Sequence, residues 1–313
     1  MQYIFACYNN FMNISDFAKG TEKIINPMDV GTTHHMQKKL CKLPKWLQHK
    51  IVTSASQKAD KMGFVVEPYA FFLFYEMDRP ERVQKFLPEG FRPVKASVFD
   101  GEEPKYYGIA SIFRVHTSAF WGARAEFYVV AENEKTGLIS WVILDYVSDT
   151  ISYDYRNGLR SPEAQHAVVT TTCEGKLLAD ITRTTDRRRL AFEANLKNGT
   201  MKKLDEKLWI EGNTSIAYSE ILDDYAGDLF SLTFLPREMK EALEIPVKDV
   251  KIEQFSWFHE AMGGKLGKAA CFPFAQHMLS DSPGTCTHYG DKAKLQHAAE
   301  NINFNKLKTF MDK

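Results

Sequence analysis

The first candidate for chemistry is a charged pair in the segment Trp121–Phe127, where Arg124 and Glu126 stand two residues apart. Alternate residues of a β-strand point to opposite faces, so both charged side chains share one face while Ala125 and Phe127 occupy the other. If the charged face is interior, the carboxylate needs partners and its pKa can shift, as in acid–base sites. If that face meets water, the two residues form an ordinary surface ion pair of small energy.

A second candidate is the polar loop over residues 152–162, which contains Tyr155 and Arg160. Loops of this composition expose their side chains and often carry sites. Tyrosine and arginine supply hydrogen-bond donors for an anionic small molecule, whereas a plain turn with a stacked tyrosine is the alternative. Ser111 and His116, on an upstream predicted strand, complete the candidate substrate-binding residues together with Arg124.

Other motifs lack parts that their chemistry requires. The run Gly263–Lys268 has a misplaced first glycine for a phosphate loop, and Ala269 stands where a hydroxyl should bind magnesium. His259 and Glu260 are not followed by the second histidine of a zinc motif. The three arginines 187–189 open a predicted strand and face alternate sides, which is typical of a solvated strand entry. We therefore expect no metal and no cofactor.

Composition favours a globular protein without strong electrostatic partners. The 313 residues carry 40 Lys and Arg against 40 Asp and Glu, and 44% are hydrophobic, with 22 Phe. A neutral chain lacks the excess of basic residues that attracts nucleic acids or anionic membranes, so we expect neither partner. Apolar runs are shorter than the roughly 20 residues of a membrane span. The five scattered cysteines and the lack of an export signal favour the cytoplasm.

Two regions differ in their patterning. Residues 1–63 are broken by Pro27 and Pro44 into short pieces with lysine-rich helical segments, which predicts an N-terminal helical extension. Residues 64–313 contain recurring β-branched and aromatic runs separated by turn residues, with helices predicted only at 79–86, 236–243 and 292–311. The predicted strands include 107–116, 125–131, 139–146, 176–182, 207–211, 214–220 and 248–258.

Consecutive strands with few helices predict an antiparallel sheet. A sheet of many strands tends to curl, and closure removes its exposed edges. The expected fold class is therefore α+β, mainly β, with a closed or cone-like antiparallel β-barrel and a few peripheral helices over residues 64–313.

The order of several short motifs resembles the acetoacetate decarboxylase-like superfamily. Glu67-Pro68-Tyr69, followed by the helix and turn that end at Phe91, resembles the N-terminal signature of that family. Gly122 to Glu126 is similar to its Gly-x-Tyr-x-Glu strand, with Arg124 in place of the aromatic residue. The loop from Tyr153 to Pro162 then occupies the position of the family's active-site segment, and Glu174-Gly175-Lys176-Leu177 resembles the hairpin that follows.

The resemblance implies a β-barrel with a central pocket and a lysine that forms a Schiff base with a β-keto acid. Acetoacetate decarboxylase is itself a standard example of such an activated lysine. Here the family's Pro-Lys-Lys stretch is matched by Gly158-Leu159-Arg160, so the lysine is missing. A guanidinium stays protonated and is a poor nucleophile, so Arg160 cannot replace it. The family's second glutamate falls near Ser111.

Three functional hypotheses follow. The first is a diverged member that binds or transforms a small carbonyl- or carboxylate-bearing molecule without an imine. Glu126 and Arg160 are then the candidate catalytic residues, and Arg124 and Arg160 hold the anion. The second is a non-catalytic small-molecule-binding barrel. The third is a genuine decarboxylase with a relocated lysine, Lys265 or Lys268. We also expect a homo-oligomer.

Overall fold

A computed structural model describes residues 13–56, 61–117, 120–154, 158–218, 231–256, 264–281 and 289–308. The α-helices are α1 (Ile14–Lys23), α2 (Pro27–Leu40), α3 (Lys45–Ser56), α4 (Gly212–Thr214) and α5 (Lys292–Glu300). Short 3-10 turns cover Pro80–Phe86, Leu196–Asn198, Pro236–Met239 and Val247–Asp249, and a π-helical turn covers Lys207–Glu211. No helix of the described residues is long and apolar enough to cross a bilayer.

The strands account for most of the regular secondary structure in the described residues. They are β1 (Lys61–Val66), β2 (Ala70–Glu76), β3 (Phe91–Pro93), β4 (Tyr107–Thr117), β5 (Trp121–Asn133), β6 (Ile139–Ser148), β7 (Ser152–Asp154), β8 (Gly158–Arg160), β9 (Ala167–Thr171), β10 (Lys176–Thr182), β11 (Arg189–Asn195), β12 (Thr200–Lys203), β13 (Ile216–Tyr218), β14 (Leu232–Phe234), β15 (Glu241–Glu244), β16 (Val250–Phe255), β17 (Lys265–Phe272) and β18 (Gln276–Asp281).

The main sheet branches at the long strand β4. One edge of β4 pairs first with β2 and then with β1, while the other edge pairs with β5. From these neighbours the sheet continues through β17, β15 and β12, through β18 and β14, and through β6 and β13. The pairings are antiparallel except for that of β13 with β6. A second sheet has the order β16-β11-β10-β9, and β7 and β8 form a separate hairpin.

The two faces of the main sheet bury different cores. On one face, Ala125 and Phe127 of β5 pack with Phe192 of the second sheet. On the other face lie Tyr128 and Trp141, with the rest of a large aromatic cluster. This separation follows the two-residue period of β5, and it places the even-numbered residues from 124 to 130 on the aromatic side.

The predicted helical extension is present as α1 to α3. Asn13 and Asn26 accept hydrogen bonds from the first-turn backbone at Ser15 and Met28, as N-cap residues do. Phe17 of α1 packs in a cluster with Leu235. The division of the chain at residues 63 and 64 remains a prediction.

The predicted class, α+β and mainly β, is confirmed, but no closed barrel is found. Among the described strands, no pairing joins the branch that ends at β12 to those that end at β13 and β14. The sheet stays open because it divides at β4. One edge of β4 pairs with β2 along part of its length and with β1 along the next part.

Two local predictions are wrong for physical reasons. The segment 207–211 was expected as a strand, yet Leu208, Trp209 and Ile210 are all buried, which an alternating strand over one core does not allow. The expected helix at 236–243 ends after Met239 and continues as β15, which pairs with β12 and β17. Phe127 packs against the second sheet, where its ring centroid lies 5.8 Å from that of Phe255.

Candidate functional site

Strand β5 brings two charged side chains and a tyrosine to the aromatic face of the sheet. Arg124 and Glu126 are only 6% and 7% exposed. Tyr128 follows on the same face. Opposite Glu126 in the strand register lie Ser111 on β4 and Tyr146 on β6. The surface ion-pair alternative is therefore excluded, because both charges are removed from water.

Each oxygen of the Glu126 carboxylate has its own donor. Oε1 accepts a hydrogen bond from Nε of Arg124, and Oε2 accepts one from the hydroxyl of Tyr128. Ser111 Oγ in turn donates to the Tyr128 hydroxyl at 3.4 Å. Burying a carboxylate is costly unless it is paired and hydrogen-bonded, and these contacts provide both. We call Ser111, Arg124, Glu126 and Tyr128 the Glu126 cluster.

Tyr146 connects this cluster to the second predicted arginine. The Arg124 guanidinium carbon lies 4.1 Å from the centroid of the Tyr146 ring, and that of Arg160 lies 5.6 Å from it. Arg160 Nη1 also donates to the Tyr146 hydroxyl at 3.4 Å. Cation–π attraction is strongest when the groups are desolvated, so the ring helps to hold two like charges in one region.

Arg160 belongs to a charged network with alternating signs. It pairs with Glu163, whose Oε2 lies 3.7 Å from Nε of Arg183. Arg183 Nη2 bonds Asp145 at 2.5 Å and donates to the backbone oxygen of Tyr146 at 3.0 Å. The network fixes β6 to the segment that follows β8, and so fixes the position of Arg160 relative to Tyr146.

An aromatic wall flanks the Glu126 cluster. The Tyr128 and Trp141 rings meet edge to face at 5.1 Å, and Phe72 contacts Trp141 and Trp209 in the same way. Phe72 is also the cross-strand neighbour of Ser111. Apolar surroundings lower the local dielectric, which strengthens every hydrogen bond and ion pair of the cluster.

Comparison with known proteins identifies similar structures but no sequence match. One is acetoacetate decarboxylase from Legionella pneumophila subsp. pneumophila str. Philadelphia 1, with 13% identity over 72% of this chain and 86% of that chain, at a TM-score of 0.42. Another is an acetoacetate decarboxylase-like enzyme from Sphingomonas wittichii RW1, with 11% identity over 72% of this chain and 92% of that chain, at a TM-score of 0.39. No family model and no curated protein matches the chain.

The chain is similar in fold to these two structures. The likeness concerns the fold, and the contacts of this chain itself indicate what its residues can do.

The structure brings most of the predicted site residues together. Ser111, Arg124 and Glu126 are in one cluster, and Arg160 reaches it through Tyr146. Tyr155 lies outside the described residues.

His116 is separate from the Glu126 cluster. It is an odd number of residues after Ser111 on β4, so it points to the opposite face. There it bonds Glu67 and stacks on Trp121 at 3.7 Å between ring centroids.

Sequence reasoning missed two tyrosines. Tyr128 stands two residues after Glu126, so the alternation that grouped Arg124 with Glu126 also places Tyr128 on that face. Tyr146 carries no such signal, because a register shift between β5 and β6 at Phe127 and Tyr128 decides which residue of β6 lies opposite Glu126.

Strand β17 carries Lys265 and Lys268, the two lysines of the relocated-lysine hypothesis. Lys268 Nζ donates to Glu102 at 2.5 Å and to Glu244 at 3.2 Å. Burial acts to lower the pKa of Lys268, but the two carboxylates outweigh it and the net shift is upward. Lys265 is exposed at the start of the strand. A raised pKa keeps the amine of Lys268 protonated, which is the opposite of what an imine-forming lysine needs.

Proposed function

We propose that the chain binds a small carbonyl- or carboxylate-bearing molecule at the Glu126 cluster and transfers protons to and from it without a lysine imine. The observation that carries this proposal is the buried Glu126 carboxylate, with Arg124 on one oxygen and Tyr128 on the other. A carboxylate held in this way has a fixed direction, and its side chain is only 7% exposed. A general base must be held in position in this manner.

The chemistry follows from the charges of the cluster. Glu126 accepts a proton from the carbon next to the substrate carbonyl. The electron pair of that C–H bond forms a carbon–carbon double bond, and the π pair of the carbonyl moves onto its oxygen. The resulting negative charge lies near the Arg124 guanidinium, which stabilises it. A guanidinium has five N–H donors, and the one on Nε of Arg124 bonds Glu126.

A relocated lysine is the less favoured alternative. Lys268 and Tyr128 lie at the two ends of one row of paired residues that runs across β17, β2, β4 and β5. Three strand spacings correspond to about 14 Å along the sheet. The ion pairs of Lys268 with Glu102 and Glu244 are a second argument against this alternative, because they stabilise the charged amine, which cannot form an imine.

Non-catalytic binding is the second candidate function, and the aromatic wall of Phe72, Trp141 and Trp209 favours it. Apolar walls with a few polar groups are typical of ligand sites, whether or not a reaction follows. The distinction therefore depends on whether a bound molecule exchanges protons.

Pyruvate is a suitable probe because it has a carbonyl, a carboxylate and exchangeable methyl protons. We expect pyruvate to raise the melting temperature and the protein to exchange its methyl protons in deuterated water, measured by NMR. Glu126→Gln should slow this exchange by about 100-fold or more. Glu132→Gln, on the same strand but paired with the half-exposed Arg92, is the matched control and should exchange normally.

The outcomes separate the candidate functions. A melting shift without proton exchange would support a binding protein. A borohydride-trapped adduct on Lys268 would support the relocated lysine. If pyruvate and acetoacetate produce neither a melting shift nor exchange, the proposed site is wrong.

A further inference from the structure

The N-terminal helices carry a local charge that the neutral whole chain conceals. Residues 30–56 contain five lysines and no aspartate or glutamate. The lysines are Lys38, Lys39, Lys42, Lys45 and Lys50, and all are exposed on α2, α3 or their connection. The segment is therefore basic and exposes all five lysines, on a protein with zero net charge.

Large apolar side chains are exposed within the same helices. Trp46 is 68% exposed and Met28 is 74% exposed, while Met36 is also exposed. Phe and Trp side chains elsewhere in the described chain are mostly buried in the two cores. Exposed Trp and Met beside lysines differ from the usual polar surface of a helix, where charged residues alone face water.

The packing of α3 determines which way Trp46 points. Gln48 is buried, and its Oε1 accepts a hydrogen bond from the backbone N–H of Leu159 at 2.9 Å. His49 Nδ1 lies 2.8 Å from the Tyr153 hydroxyl. Residues two apart on a helix are separated by about 200°. Trp46 is therefore on the far side of α3 from Gln48 but only about 60° around the helix from His49, and its 68% exposure shows that its ring faces outward.

We propose that the exposed face of α2 and α3 docks on an anionic lipid bilayer. Lysines near an anionic surface are attracted electrostatically, and a tryptophan suits the headgroup region because its ring is apolar with one polar N–H. The expectation that the protein has no membrane partner rested on the charge of the whole chain, whereas docking depends on the charge of this face.

Lipid is favoured over nucleic acid by the kind of basic residue present. The chain has no arginine before Arg79. Arginine is the residue that recognises bases and phosphates with a bidentate fork, and lysine acts as a point charge. A lipid surface needs only point charges and apolar anchors, which this face supplies.

The test is co-sedimentation of the full-length protein with vesicles. We expect binding to vesicles of phosphatidylcholine mixed with phosphatidylserine, loss of binding at high salt, and no binding to phosphatidylcholine alone. Replacing Lys38, Lys39 and Lys42 together with glutamine should weaken binding by roughly 100-fold. Trp46→Ala should also weaken binding while leaving the melting temperature unchanged, because the side chain is exposed.

The matched control replaces three exposed lysines outside this face, Lys248, Lys251 and Lys265, with glutamine. It makes the same change in net charge and should bind the vesicles like the wild type. Equal weakening in both triple variants would overturn the proposal, since net charge alone would then explain it. Binding to single-stranded RNA without binding to the anionic vesicles would also overturn it.

Discussion

The Tyr128 hydroxyl donates a hydrogen bond to Oε2 of Glu126, while Arg124 occupies the other oxygen of the same carboxylate. The three residues alternate along one strand, so a single stretch of β5 builds a buried acid together with both of its partners. This arrangement makes the strand a self-contained unit whose members should respond to substitution together.

Arg124→Ala should destabilise the protein by about 3–5 kcal/mol, because it leaves the buried Glu126 carboxylate without its cation. Glu126→Gln should cost clearly less, since the amide oxygen can still accept from Arg124 and the guanidinium still lies against Tyr146. Denaturant unfolding of both variants measures the difference. If both variants lose a negligible and equal amount of unfolding free energy, the ion pair contributes nothing to stability.

Tyr128→Phe removes a hydrogen bond to a charged acceptor and should cost about 1.5–3 kcal/mol. In the Glu126→Gln background the same substitution should cost less, because the acceptor is then neutral. Unfolding of the two single variants and the double variant gives the coupling energy between these residues. Strict additivity would indicate that the contact has no energetic significance.

Incubation with acetoacetate and borohydride should leave no covalent adduct on residues 150–165. That segment contains no lysine. Peptide mass mapping locates any adduct. Modification of Lys265 or Lys268 would instead favour the relocated-lysine alternative.

Asp149 provides a prediction for pH dependence. Burial raises the pKa of Asp149 above its ordinary value of 3.8, although its carboxylate accepts a hydrogen bond from the Ala123 backbone. The folded state therefore holds the proton more tightly than the unfolded state. The stability from this group is present below the unfolded pKa and is lost as the pH rises through the folded pKa.

Asp149→Asn fixes the side chain in a neutral form that still has an acceptor oxygen for Ala123. The variant should gain stability relative to the wild type as the pH rises from the unfolded pKa through the folded pKa, and keep that gain at neutral pH. Denaturant unfolding across this range tests it. A constant difference at every pH would contradict the assigned cause.

Patterning along β5 was readable from the sequence because strand geometry is local. The two-residue period placed Arg124 with Glu126 and set Ala125 and Phe127 on the other face, and the structure has this arrangement. The helical character of α1 to α3 and the general strand content were predictable for the same reason. The segment at 207–211 was not, since π-helical packing of Trp209 depends on a distant acceptor, the backbone oxygen of Val98.

The sequence by itself determined the mainly β class, the grouping of Arg124 with Glu126 and the absence of lysine from residues 150–165. Tertiary structure alone decided that the shared face of Arg124 and Glu126 is buried. It also decided that Tyr146 lies against both Arg124 and Arg160, and that Lys268 pairs with Glu102 and Glu244. The physical reason is the range of each interaction. Alternation depends on neighbouring residues of one strand, whereas burial and cross-strand contacts depend on register shifts and on segments that are far apart in the chain.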